Sequence, residues 1–179
     1  MQGVGYRPFV FRLAHELSVA GWVRNAVGDV EILAAGPGTT LDAFAEGLVS
    51  RAPPLAEPRL DSMTPVEASP PSGFAILAST ADVEPSIHVP PDFFACDDCL
   101  RELADPDDRR FGYPFINCTQ CGPRYTLIRA LPYDRPNTSM AGFELCAACR
   151  AEYEDPMDRP FHAEPVASAA GGPDHTWSV

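Results

Sequence analysis

The spacing of the cysteines constrains this chain more than any other feature of its sequence. Two Cys-x-x-Cys pairs, separated by 18 residues, place four thiols at Cys96, Cys99, Cys118 and Cys121. Two residues between cysteines let both sulfurs turn towards one ion, and two such pairs supply the four ligands of a tetrahedral zinc site. We therefore predict that these four cysteines bind zinc, with disulfides or a redox-active pair as the alternatives.

A repeat of 50 residues relates a third pair, Cys146 and Cys149, to the first pair. Residues 155–161 repeat residues 105–111, and residues 168–173 repeat residues 118–123 without their cysteines. The second copy has Ser168 and Gly171 where thiols are needed; serine is a poor zinc ligand, and glycine has no side chain. The second copy is therefore predicted to be degenerate.

Two ways of combining the three cysteine pairs follow from this pattern. Repeat symmetry favours sequential pairing, which leaves the third pair in an incomplete second site. Three further residues could complete that site, namely His162, Asp174 and His175. In the other combination, the second and third pairs form the complete site. Either way, the sequence supplies one complete set of four cysteines.

The apolar pattern before residue 80 predicts alternating helices and strands. In order, the predicted elements are a helix over residues 8–20 capped by Gly21, a hairpin of residues 22–25 and 30–34, a helix starting with a capping box at Thr39, and strands at residues 59–67 and 74–77. This α+β order is a ferredoxin-like βαββαβ pattern that lacks its first strand. A domain boundary is predicted near residues 80–90, where a small cysteine-rich region begins.

A glycine-rich loop leads directly into the first predicted helix. It is formed by Gln2, Gly3, Val4, Gly5 and Tyr6, and is followed by Arg7. Two glycines permit a tight turn whose N–H groups converge at the helix N-terminus, where the helix dipole favours an anion. The planar guanidinium of the arginine adds paired donors that match a phosphate group. The loop therefore predicts an anion-binding site.

Composition argues against two classes of function. The formal net charge is -12, and residues 96–159 hold 12 acidic side chains against 8 arginines, which opposes nucleic-acid binding. No apolar run reaches the roughly 18 residues that a membrane helix needs. The first residues also lack the pattern of a signal peptide, so we expect a cytoplasmic protein with reduced cysteines.

Two parts of the sequence resemble known families. Residues 2–7 together with residues 21–25 resemble the acylphosphatase signature. Residues 96–149 are similar to the zinc-finger region of the carbamoyltransferase family of nickel–iron hydrogenase maturation, in particular over segments 105–111, 113–119, 121–124 and 131–135. That family joins both modules in this order, so the resemblance extends over nearly the whole chain and covers the front part of such a protein.

The resemblance implies an acylphosphatase-like domain over residues 1–85 and a zinc-finger region of two repeats over residues 90–173. It implies hydrolysis of carbamoyl phosphate or another acyl phosphate, with Arg7 and the loop amides binding the phosphate and Asn25 positioning the attacking water. In the whole family, further domains, not found in this sequence, deliver the carbamoyl group to a partner protein for cyanide ligand synthesis. The alternative is a non-catalytic zinc-binding scaffold derived from that enzyme.

The sequence departs from the family pattern in three places. The strand that should precede Gln2 is absent, which would leave neighbouring strands with unpaired backbone groups. The last pair of zinc-binding cysteines is missing, and residues 173–179 do not resemble the family. We interpret these departures as signs of a truncated or misassigned start and of a fragmentary or decayed coding sequence.

We expect the chain to hydrolyse acyl phosphates slowly, and an upstream extension that restores the first strand to raise the rate sharply. That strand anchors the loop, and ordering a loop from a free end costs about 1–2 kcal/mol per residue. Looseness of about 1 Å at a reacting group can cost on the order of a hundredfold in rate. A paired benzoyl phosphate assay of the two chains measures the difference. Equal rates would contradict this account of the missing strand.

Overall fold

The structure, a computed structural model, describes residues 4–26, 29–67, 69, 72–78, 92, 94–130 and 133–172. Its contacts divide the chain into two units, one containing residues 5–88 and the other residues 89–179. Several predictions lie outside the described residues: those for Gln2 and Gly3, for the hairpin turn at residues 27–28, for the boundary near residues 80–90, and for Asp174 and His175.

The N-terminal unit contains two helices and a three-stranded sheet. In chain order, the elements are α1 (Tyr6–Glu16), β1 (Ala20–Asn25), β2 (Val30–Ala35), α2 (Gly38–Ser50) and β3 (Phe74–Ile76). The strand order is β2-β1-β3, with β1 antiparallel to β2 and parallel to β3. The α+β class, both helices and the hairpin are therefore confirmed, as is the strand predicted at residues 74–77.

One apolar core holds both helices on the sheet. It is formed by Val10, Leu13, Ala14, Val19, Val23, Phe44, Leu48 and Phe74. The two helices approach closely because α2 carries a glycine at the contact: a Cβ at Gly47 would lie 3.1 Å from Leu13 Cδ2. The apolar residues of each helix recur at helical spacing, so they share the face that packs inward.

The predicted helix ends are wrong at two places. Helix α1 ends at Glu16, four residues earlier than predicted, and Ser18 closes it in a left-handed conformation with φ 55°. Helix α2 begins at Gly38 after Pro37 and has no side-chain cap, so the capping box predicted at Thr39 is not formed. Proline supplies the required turn here, because its ring already holds φ near the value seen at helix starts.

Gly21 is needed by the sheet and not, as predicted, by a helix end. It lies within β1 with φ 145°, and a Cβ there would lie 1.9 Å from the carbonyl oxygen of Leu33 on β2. No other residue type fits at that distance from a backbone carbonyl. The glycine was a correct signal of a constrained backbone, but the constraint is the close approach of two strands.

The strand predicted at residues 59–67 is not formed. These residues have no regular structure, and Leu60, Met63 and Val66 are 53%, 73% and 62% exposed. A strand is stable only when a neighbour satisfies its backbone N–H and C=O groups. In a βαββαβ sheet that neighbour is the first strand, and no described residue forms it.

The cysteine-rich unit consists of short helices and loops. Helices α3 (Asp97–Ala104) and α4 (Ala147–Glu154) start 50 residues apart, and each follows the first cysteine of a Cys-x-x-Cys pair. Single 3₁₀ turns lie between them, at Thr119–Cys121, Tyr125–Leu127, Arg135–Asn137 and Ser139–Gly142. The sequence repeat is thus also a structural repeat. Within the described part of the chain, no helix has the length and apolar character required to cross a membrane.

Replacing Gly21 with alanine is expected to destabilise the N-terminal unit by about 2 kcal/mol or more, because the new Cβ collides with the β2 backbone. The measurement is the urea unfolding free energy followed by Trp22 fluorescence in a Trp177→Phe background. Gly38→Ala is the matched control, since a Cβ at Gly38 meets no atom within 4 Å. We expect the control to stay within about 0.5 kcal/mol of the parent protein. Equal stability of the two variants would show that the strands can separate at little cost.

Candidate metal centre and anion-binding loop

Four sulfur atoms converge in the cysteine-rich unit. The Sγ atoms of Cys96, Cys99, Cys118 and Cys121 all lie within 4.8 Å of one another. Three Sγ–Sγ distances are 3.6 Å (Cys96 to Cys118), 3.8 Å (Cys118 to Cys121) and 3.6 Å (Cys99 to Cys121). A tetrahedral ion with metal–sulfur bonds of about 2.3 Å sets its ligands about 3.8 Å apart. The four residues therefore fit a tetrahedral thiolate site.

Backbone turns of two kinds present these sulfurs. Cys96 is extended and immediately precedes α3, so Cys99 returns to the same side in the first turn of that helix. Cys118 is also extended, and a 3₁₀ turn brings Cys121 back towards it. Gly122 follows with φ 78°, which explains the glycine that the sequence places after the second pair. The backbone N–H of Cys96 donates to Cys121 Sγ at 3.3 Å and joins the two turns.

The protonation of the cluster shows why it needs a cation. The thiol–thiol hydrogen bond with Cys118 raises the pKa of Cys99, and the one with Cys121 raises the pKa of Cys118 to about 12. Hydrogen bonds with Cys118 and with Cys99 lower the pKa of Cys121. One thiolate is therefore stabilised at the expense of its neighbours. All four can ionise together only when a metal ion balances their charge.

The third cysteine pair is arranged differently. Cys146 and Cys149 have their Sγ atoms 3.6 Å and 3.5 Å from Ser168 Oγ, the position that repeats Cys118. Among the described residues, no further cysteine, histidine or carboxylate joins this pair in a potential metal site. A hydrogen bond from the N–H of Cys149 lowers the pKa of the Cys146 thiol to about 7. Of the two combinations left open by the sequence, the structure forms the sequential one.

His162 was a candidate replacement ligand for the second site, but its ring has other contacts. It stacks on Tyr153 with ring centroids 4.9 Å apart and an interplanar angle of 14°. The residue also has a left-handed backbone, with φ 51°. The structure therefore gives no support to His162 as a ligand.

Two arginines near the sulfurs were missed by the sequence analysis. Arg159 donates to Cys99 Sγ at 3.1 Å, and Arg109 donates to Cys149 Sγ at 3.1 Å. Both belong to the repeated Asp-Pro-x-Asp-Arg segment. That repetition was visible in the sequence and could have signalled a function, but spacing alone does not show which cysteine each arginine reaches.

The described part of the anion loop has the geometry of a tight helix start. Gly5 is the N-cap of α1 with φ 72° and ψ 16°, a left-handed conformation that favours glycine. Its carbonyl oxygen accepts the first helical hydrogen bond, from the N–H of Phe9 at 3.0 Å. The Tyr6 hydroxyl donates to the carbonyl oxygen of Leu48 on α2 at 3.2 Å and so fixes the first turn. Arg7 follows within that turn.

The topology places Arg7 and Asn25 at the same end of the N-terminal unit. Helix α1 and strand β1 are joined by only three residues, Leu17 to Val19, and contribute to one core, which requires the chain to reverse direction between them. The start of the helix is therefore at the same end as the end of the strand. Eleven helical residues span about 16 Å and six strand residues about 20 Å, so the two ends lie at nearly the same level. Arg7 is the second residue of α1, and Asn25 is the last residue of β1.

Arg24, next to Asn25, has a structural environment of its own. Its guanidinium forms an ion pair with Glu31 on β2 at 2.7 Å and lies 4.8 Å from the centroid of the Trp22 ring. These contacts make it a charge on the sheet surface. They do not connect it with the start of α1.

Two family models match this chain. Residues 1–76 match the acylphosphatase model, and residues 95–128 and 145–177 match the model of the HypF finger. The second finger match includes the degenerate copy. Among curated proteins, an acylphosphatase of Alkalilimnicola ehrlichii is 40% identical over 43% of this chain and 86% of its own length.

Longer relatives match the whole arrangement. The carbamoyltransferase HypF of Rhodobacter capsulatus is 48% identical over 97% of this chain, and HypF2 of Cupriavidus necator is 52% identical over 82% of it. Two crystal structures also match, full-length HypF in a phosphate- and nucleotide-bound form (TM-score 0.78, 42% identity) and HypF of T. kodakarensis (TM-score 0.70, 46% identity). The two structural matches cover 97% and 96% of this chain, respectively.

The chain is short in comparison with these relatives. It spans 23% of the Rhodobacter protein, 18% of the Cupriavidus protein, and 23% and 22% of the two crystallised chains. What it shares with them is the acylphosphatase-like domain followed by the cysteine-rich finger, in the order expected from the sequence. The chain belongs to the HypF carbamoyltransferase family, of which it carries these two modules.

Proposed function

We propose that the N-terminal unit binds acyl phosphates, carbamoyl phosphate among them, and hydrolyses them to a carboxylate and inorganic phosphate. The observation that carries this proposal is the start of α1, where Gly5 turns the backbone into a helix with Arg7 in its first turn. A helix N-terminus and a guanidinium together favour a phosphate group. The similarity to an acylphosphatase over 86% of that protein's length supports the same function.

The residues present suffice for this chemistry. An acyl phosphate is a mixed anhydride, so its phosphoryl group is already activated and needs no covalent nucleophile. Arg7 and the amides at the start of α1 balance the charge on the phosphoryl oxygens, while the Asn25 side chain orients the attacking water. The new P–O bond forms to water as the P–O bond to the acyl group breaks. The carboxylate leaves as an anion, and the inorganic phosphate that forms takes up the proton lost by the attacking water.

We further propose a place for this reaction within the family's activity. Carbamate released by hydrolysis of carbamoyl phosphate would feed carbamoyl transfer in nickel–iron hydrogenase maturation, with a partner protein as the acceptor and cyanide ligands as the outcome. One related crystal structure is of a phosphate- and nucleotide-bound form.

We also propose a cytoplasmic location. The six cysteines of the chain form no disulfides, which is consistent with a reducing compartment.

We propose that the metal bound by the cysteine-rich unit is zinc. Cys96, Cys99, Cys118 and Cys121 form an all-thiolate set with tetrahedral spacing, the ligand set of structural zinc sites. Cys146 and Cys149 are candidate ligands of a second, incomplete site. The metal would contribute mainly to folding, because the core around these cysteines adds little besides Ile116 and Leu103.

The Arg7→Ala variant is expected to lose acyl phosphate hydrolysis by about a hundredfold or more, because one charged group at the phosphoryl oxygens is removed. Asn25→Ala is expected to lower kcat with little change in KM, since it acts on the water. Hydrolysis of benzoyl phosphate and carbamoyl phosphate is measured for each. Arg51→Ala is the matched control, because Arg51 is exposed and pairs with Glu16 through 2.9 Å and 2.7 Å hydrogen bonds.

Two outcomes would contradict the enzymatic proposal. One is activity that survives in Arg7→Ala at the parental level. The other is an equal change in the rate of hydrolysis in Arg7→Ala and in Arg51→Ala, each compared with the parental protein. Either result would show that the observed hydrolysis does not depend on Arg7, and the non-catalytic scaffold would remain as the alternative.

We predict one tightly bound zinc ion per chain, because the described residues form one complete set of four thiols. Cys99→Ser is expected to abolish the bound metal, whereas Cys149→Ser is expected to retain it. Both cysteines are buried to the same extent, so the pair is a matched comparison. Metal analysis of tag-free protein measures the stoichiometry. Two zinc ions per chain, or loss of metal from Cys149→Ser, would overturn the assignment of the site.

A further inference from the structure

Each repeat of the cysteine-rich unit places an arginine beside the cysteine pair of the other repeat. Arg159 belongs to the second repeat, yet its Nη1 atom lies 3.1 Å from Cys99 Sγ and 3.8 Å from Cys96 Sγ in the first repeat. Its counterpart 50 residues earlier, Arg109, lies 3.1 Å from Cys149 Sγ in the second repeat. Each repeat therefore directs its arginine to the other repeat's cysteine pair.

Arg159 is held in place from three directions. Its guanidinium forms an ion pair with Glu102 on α3 and lies 3.8 Å from Asp98 on the same helix. Its backbone carbonyl accepts a hydrogen bond from Thr119 Oγ1 at 2.9 Å. Thr119 lies between two of the cysteines, so the arginine is attached to the metal-binding turn itself. The side chain is only 18% exposed, which limits screening by water.

The Arg159 guanidinium is a fixed positive charge that partly balances the negative charge of the four thiolates. Four thiolates around a divalent ion carry a net charge of about -2. Cys99, Cys118 and Cys121 are each 1% exposed, so water does little to solvate that charge. A charged N–H donor to a thiolate sulfur is stronger than a neutral one and lowers the electron density on the sulfur. Protonation of the thiolate, the step that leads to metal release, then becomes harder.

We propose that Arg159 is a positioning residue of the metal centre, donated by the second repeat to retain the metal bound by the first. The inference rests on the proposed metal site. It also explains a feature of the sequence: the second repeat has lost two cysteines but keeps its Asp-Pro-x-Asp-Arg segment. That segment serves the intact site of the first repeat, so loss of the second repeat's own site does not remove the need for it.

Arg109 provides a control inside the same molecule. It is the same residue type at the equivalent position, it has the same distance to a cysteine sulfur, and it pairs with Glu152 as Arg159 pairs with Glu102. Its cysteine, however, belongs to the pair completed only by Ser168. The residue that repeats Thr119 is Ala169, which has no hydroxyl to hold the backbone of Arg109. A role in general packing predicts similar effects at both arginines, whereas a role at the metal centre predicts an effect at Arg159 alone.

The test compares metal release from the full chain loaded with zinc. Arg159→Ala and Arg159→Gln are expected to transfer zinc to an excess of a chromogenic chelator 10–100-fold faster than the parent, the range found when groups that support metal ligands are removed. Arg159→Lys keeps the positive charge but lacks the forked N–H donors of a guanidinium. Its rate of zinc transfer is expected to lie between those of the parent and Arg159→Ala. Arg109→Ala is expected to stay within about twofold of the parent, because the contacts of Arg109 within the described residues are with Cys149 and Glu152, outside the complete site.

A cobalt(II) spectrum separates positioning from folding. The ligand-field bands of the substituted protein report four tetrahedral thiolates in every variant that retains the site. In Arg159→Gln the sulfur-to-cobalt charge-transfer band is expected to move to longer wavelength, because loss of the N–H donor raises the energy of the sulfur electrons. A variant that merely folds less well would lose intensity without this shift.

Two results would overturn the inference while leaving the metal site intact. One is zinc release from Arg159→Ala within twofold of the parent, with an unshifted cobalt spectrum for Arg159→Gln. The other is equal acceleration in Arg109→Ala and Arg159→Ala. A parent chain that holds no zinc after loading would instead refute the proposed metal site, and the inference with it.

Discussion

Four sulfur atoms within 4.8 Å of one another are the constraint on which the cysteine-rich unit depends. Without a cation, thiol–thiol hydrogen bonds lower the pKa of Cys121 and raise the pKa values of Cys99 and Cys118. With a divalent ion the charge is balanced, and the ion then joins two segments of chain that few apolar contacts connect. The helix at Cys96 and the 3₁₀ turn at Cys118 are too short to persist alone, so a metal ion bound between them would stabilise both.

Sequence reasoning identified this site because metal ligation leaves a local pattern. Two residues between cysteines are enough to predict that Cys96 and Cys99 act together, and repeat symmetry then favoured the partner pair that lies beside them in the structure. The arginines were beyond such reasoning. Arg159 and Cys99 are 60 positions apart, and only the packing of one repeat against the other brings them together.

The N-terminal unit shows the same division between local and distant information. Apolar periodicity predicted α1, α2 and the hairpin, because a helix face or a hairpin is determined by residues that are close together in the sequence. Gly21 and residues 59–67 were misinterpreted for a shared reason. Gly21 is required because the backbone of Leu33 on the adjacent strand approaches it closely. Residues 59–67 need a neighbouring strand that no described residue forms. In both cases, strand pairing determined the outcome and the local sequence did not.

The difference between local and distant contacts also bears on the proposed anion site. Arg7 and Asn25 are carried by α1 and β1, which share the core residues Val10, Leu13 and Val23. Residues 59–67 contribute none of the core residues named above, so their lack of a strand does not disturb the elements that carry the two side chains. The conformation of Gly5 is likewise set within the helix start, through its hydrogen bond from Phe9. The described part of the proposed phosphate site therefore depends on the packing of α1 against β1 and on the hydrogen bond from the Tyr6 hydroxyl to Leu48 of α2.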